Sequence, residues 1–300
     1  MQWKKLGPVI TPQKRLWWMQ THAFVPTVDS LEGDLYRVYV SGRNNQNQSY
    51  VGYADIDLSQ GGRAVAYSLE PALGLGELGC FDDNGVTPSC VVNHGGEKRL
   101  YYIGWNKRSR VRMSLISGLA TSSDGGRTFE RFSRAPILDR TDLEPYNILT
   151  GPCVLVENGL WRMWYVSCTG WINEDLPSYN IKYAESDDGI HWRRNGHVCI
   201  DFMSLDEHSL ARPWVLKRGD RYCMWYSYKG EHYRIGYAES PDGLSWERMD
   251  DRAGIDVSSE GGDSVMVCTC CVFEHGKNLY MLYNGNDYGM HGVFLAMLEE

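Results

Sequence analysis

The sequence lacks any apolar run that approaches the ~20 residues of a membrane span. Its first eight residues, Met1–Pro8, carry charge and contain no apolar stretch long enough for a signal segment. The nine cysteines are odd in number and lie mostly in apolar stretches, which predicts buried free thiols rather than disulfides. The densest group, Cys268–Cys271, has no partner group at the spacing of a zinc site. These absences predict a cytoplasmic protein with no membrane span and no bound metal.

An excess of positive charge is also missing. The 300 residues contain 30 Lys and Arg against 38 Asp and Glu, which gives a formal net charge of −8. Binding to nucleic acid requires a basic face that displaces counterions, so we expect no nucleic-acid partner. A small neutral or cationic ligand, or a phosphorylated ligand held by local arginines, remains open.

What the sequence does contain is a repeat. The segment Tyr183–Trp192 (YAESDDGIHW) recurs as Tyr237–Trp246 (YAESPDGLSW) and, more loosely, as Leu119–Phe129. Each copy is typical of a strand, a tight Asp-Gly turn and a second strand opened by an aromatic residue. Equivalent residues of all copies are therefore expected to meet around one axis.

Alignment of the chain on its inner strands yields five units. Four contain a proline near the start of the strand, and the fifth, Cys268–Val272, has none; the prolines are Pro26, Pro88, Pro152 and Pro213. Proline is tolerated there because a first strand residue need not donate to the ladder. Five units of three to four strands, about 60 residues each, predict an all-β, five-bladed β-propeller in a single domain spanning residues 1–300.

The Asp-Gly turns carry a second pattern. Ser122–Phe129 fits the Asp-box pattern of sialidases and other propellers, in which serine and aspartate bind the turn backbone while the aromatic residue packs between sheets. We therefore interpret Asp124, Asp188 and Asp242 as structural rather than catalytic.

Acidic residues recur at matched depth in the loops that lead into the inner strands. Asp82, Glu207 and Asp263 occupy one equivalent position, and Tyr146 occupies it in the third blade. Asp83 and His208 are one residue closer to the inner strand in their own blades, and His22 is closer still in the first blade. Acids that converge raise one another's pKa, which can create a general acid at neutral pH. Solvation of polar loops is the structural alternative.

Other candidates for ligand contacts lie close to the same end of the strands. Arg43, Arg140 and Arg212 are either ion-pair partners or clamps for a carboxylate or phosphate. Trp105 and Trp171 end aromatic strands and can stack on a sugar ring or pack between blades. Asn286 offers an amide for hydroxyl groups, although its sequence is also that of an ordinary turn.

The five units, the aromatic M-W-Y second strand and the A-E-S-x-D-G-x-x-W hairpin resemble the five-bladed propeller superfamily of glycoside hydrolase families 32, 43, 62, 68 and 130. Gly76–Pro88 and Asp206–Pro213 resemble, more closely, a group of bacterial proteins associated with surface-polysaccharide biosynthesis. The resemblance implies a carbohydrate-active protein that needs no cofactor. Its expected ligand is a small carbohydrate, a sugar phosphate or a nucleotide sugar.

The sequence departs from the superfamily at its acids. The places of the nucleophile or base aspartate and of the acid glutamate hold apolar or hydroxyl residues; they are Phe24, Val25, Thr150 and Ala211. None of them can transfer a proton, so the inherited catalytic set is missing.

Three functional hypotheses follow. In the first, an enzyme acts on a glycosidic or activated-sugar bond by hydrolysis, phosphorolysis or transfer, with Asp83 as base or nucleophile, Glu207 as acid and Asp263 as their partner. Asp82, Tyr146, His22 and His208 would then contact the substrate together with the arginines, Trp105 and Asn286. In the second, the propeller binds carbohydrate or acts as a scaffold without catalysis. In the third, His22, His208, Asp83 and Asp263 hold a metal.

Overall fold

The computed structural model describes residues 1–299, which form twenty β-strands and three 3₁₀ turns. Four blades follow one another along the chain. The first contains β2 (His22–Ser30), β3 (Leu35–Arg43), β4 (Ser49–Asp57) and β5 (Arg63–Tyr67), and the second contains β6 (Gly85–His94), β7 (Glu97–Lys107), β8 (Met113–Ser122) and β9 (Glu130–Arg131). The third contains β10 (Ile148–Glu157), β11 (Leu160–Asn173), β12 (Leu176–Ser186) and β13 (Val198–Ile200), and the fourth contains β14 (Ser209–Arg218), β15 (Arg221–Lys229), β16 (Tyr233–Ser240) and β17 (Glu247–Arg248).

The fifth blade is built from both ends of the described chain. Its inner three strands are β18 (Cys268–His275), β19 (Asn278–Asn284) and β20 (Val293–Leu298), and β1 (Trp3–Ile10) pairs antiparallel with β20 as the outer strand. The 3₁₀ turns are Leu58–Gln60, Asp250–Arg252 and Asn286–Gly289. The pairing of β1 therefore joins the start of the chain to its last blade.

The five inner strands form a ring. Strands β2, β6, β10, β14 and β18 each contact the next one, and β18 contacts β2. This arrangement confirms the predicted five-bladed β-propeller. Four of the inner strands carry the predicted prolines, and each of those four contains a register shift at or next to its proline. Proline has no backbone N–H to donate to the neighbouring strand, so a β-bulge at each proline is expected.

The Asp-Gly turns fasten neighbouring blades. Tyr39 Oη donates to Gly126 O, Tyr101 Oη to Gly189 O and Trp164 Nε1 to Gly243 O, each from one blade to the turn of the next. Within the last of these turns, N–H groups of Ser245 and Leu244 lower the pKa of Asp242 to about 2. These contacts agree with the structural interpretation of the turn aspartates.

Candidate functional site

A cavity of about 340 Å³ opens at one end of the propeller axis. Every blade contributes to its wall, and the lining includes His22, Phe24, Val25, Arg43, Trp105, Arg112, Met113, Leu115, Asp175, Leu176, Pro177, Tyr179, His208, Ser209, Ala211, Ser227, Lys229, Tyr233, Cys268, Thr269, Asn284 and Tyr288. Most of these residues start an inner strand or end a second strand. We call this space the axial cavity.

The floor of the axial cavity has a distorted backbone. Val25, Arg212 and Thr269 adopt left-handed φ angles of 52°, 54° and 50°, and Gly151 has a φ of 62° at the matching place in the third blade. Such angles are unusual for non-glycine residues and most of all for β-branched ones. The freed N–H groups of Val25 and Thr269 donate to Asn284 Oδ1 and Ser227 Oγ, both at 2.8 Å. Side chains of the second strands thus satisfy the bulged backbone.

Arg212, a predicted ligand clamp, lies beneath this floor and is not among the lining residues. Its side chain is buried and donates to Ser89 O, to Pro26 O at 2.8 Å and to Thr27 Oγ1 at 3.0 Å. Among residues 1–299 no carboxylate lies within ion-pair distance of it. Arg212 therefore joins the inner strands of three blades across the axis and does not reach a ligand.

The wall of the axial cavity is positively charged. Arg43, Arg112 and Lys229 line it, whereas Asp175 provides the single carboxylate among the described lining residues. Burial and the nearby charge of Arg112 lower the pKa of Arg43. Two guanidinium groups that repel one another in a half-buried site favour an anion between them. This local surplus contrasts with the net charge of −8 of the whole chain.

His22 presents an unprotonated nitrogen next to Arg43. The hydroxyl of Thr21 donates to Arg43 O at 3.2 Å, so the contact of 2.8 Å between Thr21 Oγ1 and His22 Nδ1 requires a proton on Nδ1. Nε2 then accepts from Arg43 Nη1 at 3.5 Å. Burial and, second, the charge of Arg43 lower the pKa of His22 to about 4. The imidazole is therefore neutral at pH 7, with Nε2 as an acceptor.

His208 has a different role. Its Nε2 donates to Gly230 O at 3.0 Å, and its Nδ1 accepts from Ser209 Oγ at 2.7 Å. Both ring nitrogens are occupied, and burial lowers the pKa of the imidazole. His208 thus forms part of the wall and has no free nitrogen for a ligand.

Tyrosines surround the third cation. Lys229 Nζ donates to Tyr288 Oη at 3.1 Å and lies 5.3 Å from the centre of the Tyr233 ring. The hydroxyls of Tyr233 and Tyr179 are 2.6 Å apart. These phenols and the indole of Trp105 offer faces and donors to a sugar ring.

The predicted acids do not share the axial cavity, and this expectation was wrong. Asp82 accepts from Tyr102 Oη at 2.9 Å and from Arg131 Nε at 2.8 Å, and Asp263 accepts from Tyr283 Oη at 2.8 Å and from Lys5 Nζ at 2.7 Å. The third and fourth blades contain the same arrangement of a tyrosine, an acid and one or two cations; these sets are Tyr165–Glu144–Arg194–Lys182 and Tyr226–Asp250–Arg248. For Asp82 and Asp263 the recurrence of acid at equivalent positions therefore reflects a structural ion pair, and Glu144 and Asp250 take the same role from other positions of the chain.

Asp83 and Glu207 are also engaged within their own blades. Asp83 accepts from Asn106 Nδ2 at 2.8 Å and from the N–H of Gly79 at 2.9 Å. Glu207 pairs with Arg248 at 2.9 Å and accepts from the N–H of Met203 at 2.9 Å. Neither lines the axial cavity, so the geometry does not bring the three predicted catalytic acids together.

Of the predicted ligand-binding residues, the structure brings His22, Arg43, Trp105 and His208 to the axial cavity. Arg140 and Tyr146 line a separate groove nearby. Asn286 lies in the turn beyond β19, where its Oδ1 accepts from the N–H groups of Val265 and Met266 and holds the loop in place.

Sequence reasoning missed Arg112, Lys229, Tyr179, Tyr233 and Asp175. A signal existed for two of them. Lys229 ends the second strand of the fourth blade as Arg43 ends that of the first, and each pairs with a residue four positions before the inner-strand proline. Arg112 ends the basic run that begins at Lys107. The tyrosines belong to third strands, which no pattern assigned to the axis.

Two further properties bear on the hypotheses. Among residues 1–299 no cluster of three or more histidines, cysteines, aspartates or glutamates is arranged to hold a metal ion. The same residues include no helix with the length and apolar character that crossing a membrane requires.

The fold is that of a five-bladed β-propeller, and solved glycoside hydrolases share it. A solved glycoside hydrolase has a TM-score of 0.77 at 18% identity, covering 99% of this chain and 91% of its own. A thermostable family-43 glycoside hydrolase has a TM-score of 0.70 at 18% identity, covering 92% and 88%. A structure from family 130 of mannoside phosphorylases, reported to contain hydrolases that target β-1,2 mannosidic linkages in Candida mannan, has a TM-score of 0.72 at 14% identity, covering 97% and 91%.

A nearer relative comes from Mycobacterium tuberculosis. The protein named Uncharacterized protein Rv1502, of strain H37Rv, is 40% identical over 301 residues, which cover 100% of both chains. The present chain belongs to the same family as Rv1502. No family model matches the sequence.

Proposed function

We propose that the axial cavity binds an anionic sugar and that the protein is a carbohydrate-active enzyme acting on an activated-sugar bond, between a sugar carbon and a phosphate. The observation that carries this proposal is the meeting of Arg43, Arg112 and Lys229 in a cavity with one carboxylate. The solved glycoside hydrolases and the mannoside phosphorylase family of similar fold support the sugar part of the proposal.

The charge pattern favours phosphate or carboxylate on the ligand. Arginine forks bind such groups with two parallel hydrogen bonds, and each bond to a charged group contributes about 1.5–3 kcal/mol. The guanidinium of Arg43 has no carboxylate partner within ion-pair distance among the described residues. Burial and, second, the charge of Arg112 lower the pKa of Arg43, and an arriving anion would relieve that repulsion.

The missing carboxylate pair favours an activated donor over an ordinary glycoside. Hydrolysis of a glycoside uses two carboxyl groups, one of which protonates the leaving oxygen. A sugar phosphate needs no such proton, because the phosphate departs as an anion with the electron pair of the broken C–O bond. A water or hydroxyl oxygen forms the new bond to the sugar carbon, and its proton passes to His22 Nε2 once the phosphate draws the Arg43 guanidinium away from that nitrogen. The arginines stabilise the charge on the departing phosphate.

The test measures binding of a panel of sugar 1-phosphates and nucleotide sugars by calorimetry, beside neutral aryl glycosides. Arg43→Ala should weaken the binding of the tightest-binding sugar phosphate about 10- to 100-fold, because one charged hydrogen-bonding group is lost. Arg63→Ala removes an exposed arginine of β5 and serves as the matched control. Equal binding of the sugar phosphate by Arg43→Ala, or binding of neutral glycosides alone, would contradict the proposal.

A second function is favoured by the residues that occupy the inherited acid positions. The inherited acid positions hold Phe24, Val25, Thr150 and Ala211, which suits a non-catalytic propeller that binds carbohydrate or acts as a scaffold in polysaccharide assembly. Prolonged incubation with the best ligand, followed by NMR, separates the two. A new anomeric signal and free phosphate support the enzyme, and an unchanged ligand supports the binding protein.

We also propose that residues 1–300 act as one domain in the cytoplasm. All nine cysteines are free thiols, and eight of them are buried. Such use of cysteine suits a reducing compartment.

A further inference from the structure

A second groove, of about 380 Å³, lies beside the axial cavity. Its lining includes arginines and aromatic side chains from three segments: Arg108, Ser109, Arg110, Val111, Arg140, Pro145, Tyr146, Asn147 and Trp171. We call it the outer groove. The function proposed above makes no use of it.

The arginines of the outer groove are available for a ligand. Lys107–Arg112 (KRSRVR) forms the exposed tip of the β7–β8 hairpin. Among residues 1–299 no carboxylate lies within 4.0 Å of Arg108, Arg110 or Arg112, and Arg140 reaches only Asp139, at 3.9 Å. Elsewhere in this acidic chain, arginines such as Arg131 and Arg248 are paired with buried acids. The concentration of unpaired guanidinium groups is therefore a local feature.

Fixed contacts join the outer groove to the axial cavity. The N–H of Arg112 donates to Glu174 O at 2.8 Å, which ties the tip of the β7–β8 hairpin to the β11–β12 hairpin. Asn147 Nδ2 donates to Met113 O at 2.7 Å, and Trp171 Nε1 donates to Asn147 Oδ1 at 3.3 Å. Arg112 and Met113 line the axial cavity, whereas Asn147 and Trp171 line the outer groove. The two spaces therefore lie on either side of the same pair of hairpins.

We propose that the outer groove binds the body of an anionic carbohydrate chain, one that carries carboxylate or phosphate groups on successive sugars, while its terminal sugar occupies the axial cavity. Arginine forks meet the anionic groups, and the exposed faces of Tyr146 and Trp171 contact sugar rings. The assignment of the terminal sugar rests on the proposed function, but binding in the outer groove does not. The net charge of −8 repels polyanions outside this one groove, so only a short anionic segment is held, whereas nucleic-acid binding needs an extended basic face.

The test uses oligogalacturonate as the probe, a maltooligosaccharide of equal length as the neutral control, and a sugar 1-phosphate as the probe of the axial cavity. The double substitution Arg110→Ala, Arg140→Ala should weaken the binding of oligogalacturonate by up to about 25-fold, from roughly fivefold for each exposed charge contact. Trp171→Ala should weaken it as well. The double variant should bind the sugar 1-phosphate as the wild type does, and Arg63→Ala should behave as wild type with both probes.

Each outcome has a separate meaning. Unchanged oligogalacturonate affinity in the double variant overturns the inference, as does equal binding of the neutral oligosaccharide. Tighter, groove-dependent binding of single-stranded DNA would overturn the carbohydrate assignment. Groove-dependent binding of oligogalacturonate without any sugar-phosphate binding would support the outer groove and contradict the proposed function. Far-UV circular dichroism of each variant excludes loss of folding as the cause.

Discussion

The ion pair between Lys5 and Asp263 should hold the first strand in the last blade. Asp263 was a predicted catalytic acid, but its side chain is 7% exposed and contacts Lys5 at 2.7 Å and Tyr283 Oη at 2.8 Å. Asp263→Asn keeps the shape of the side chain and removes its charge. We expect this change to loosen β1 rather than to stop a reaction.

The size of the effect follows from burial. Breaking a fully buried pair costs about 3–5 kcal/mol, whereas an exposed pair contributes up to about 1 kcal/mol. Lys5 is 24% exposed and can turn toward water when its partner loses charge, so a free-energy loss of about 2–3 kcal/mol is expected. A loss of this size corresponds to roughly 30- to 160-fold faster hydrogen exchange in β1 if that strand opens locally. The melting temperature should fall by about 4–6 °C.

The assay is hydrogen exchange of the amides of β1, with Asp55→Asn as the control. Asp55 also accepts from an arginine, Arg37, but it lies in the first blade on β4, whereas β1 pairs with β20. The control should therefore leave exchange in β1 unchanged.

The pH dependence gives a second readout. Burial opposes ionisation of Asp263, but its bonds to Lys5, Tyr283 and Ser258 outweigh burial and hold its pKa below the usual 3.8. A folded-state pKa below the unfolded value stabilises the fold fully above about pH 4, and this stability is lost as pH falls through the folded value. The difference between wild type and Asp263→Asn should thus shrink in acid. The reasoning would be refuted if the amides of β1 exchanged in Asp263→Asn at the same rate as in the wild type. It would also be refuted if the variant kept its full stability but lost enzymatic turnover.

Two predictions concern the axis. Binding of a sugar phosphate should be accompanied by proton uptake near pH 5, because an anion offsets the charge of Arg43 and raises the His22 pKa from about 4. Calorimetry in two buffers of different ionisation enthalpy measures this proton uptake. Zero uptake would mean that the anion binds away from His22. Arg212→Met should lower the free energy of unfolding by about 3–5 kcal/mol in urea titration, because the buried carbonyls of Pro26 and Ser89 lose their donor. If the variant kept its stability but lost ligand binding, Arg212 would bind the ligand after all.

Sequence periodicity predicted the blades well because each one repeats the same local pattern. Prolines mark the inner strands of four blades and Asp-Gly turns occur in three, at matching places, and both depend on short-range geometry. The outer strand of the fifth blade was not assigned, since β1 pairs with β20 across almost the whole chain. Nothing in the segment around Trp3 indicates so distant a partner.

The predicted site was less accurate because residues at equivalent positions in the sequence repeats need not point their side chains toward the axis. Asp82 and Asp263 do occupy equivalent places, as the alignment required, yet both face tyrosines and cations inside their blades. Their cations, Arg131 and Lys5, come from other segments and carry no motif. Arg43 and Trp105 do line the axial cavity, because both lie at the ends of second strands.

The bulged floor of the axial cavity has a consequence for how the site can change. Val25 and Thr269 hold β-branched side chains at φ angles that cost of order 1–3 kcal/mol each, and the surrounding ladder carries this strain. At both places the backbone N–H donates, to Asn284 Oδ1 and to Ser227 Oγ, and Thr269 Oγ1 also donates to Asn284 Oδ1 at 2.7 Å. The side chains of Val25 and Thr269 can therefore be exchanged with a smaller effect on the scaffold than that of Arg212, which joins three blades, and glycine at either place would relax the backbone. New ligand preferences are accessible through those few places without rebuilding the ring.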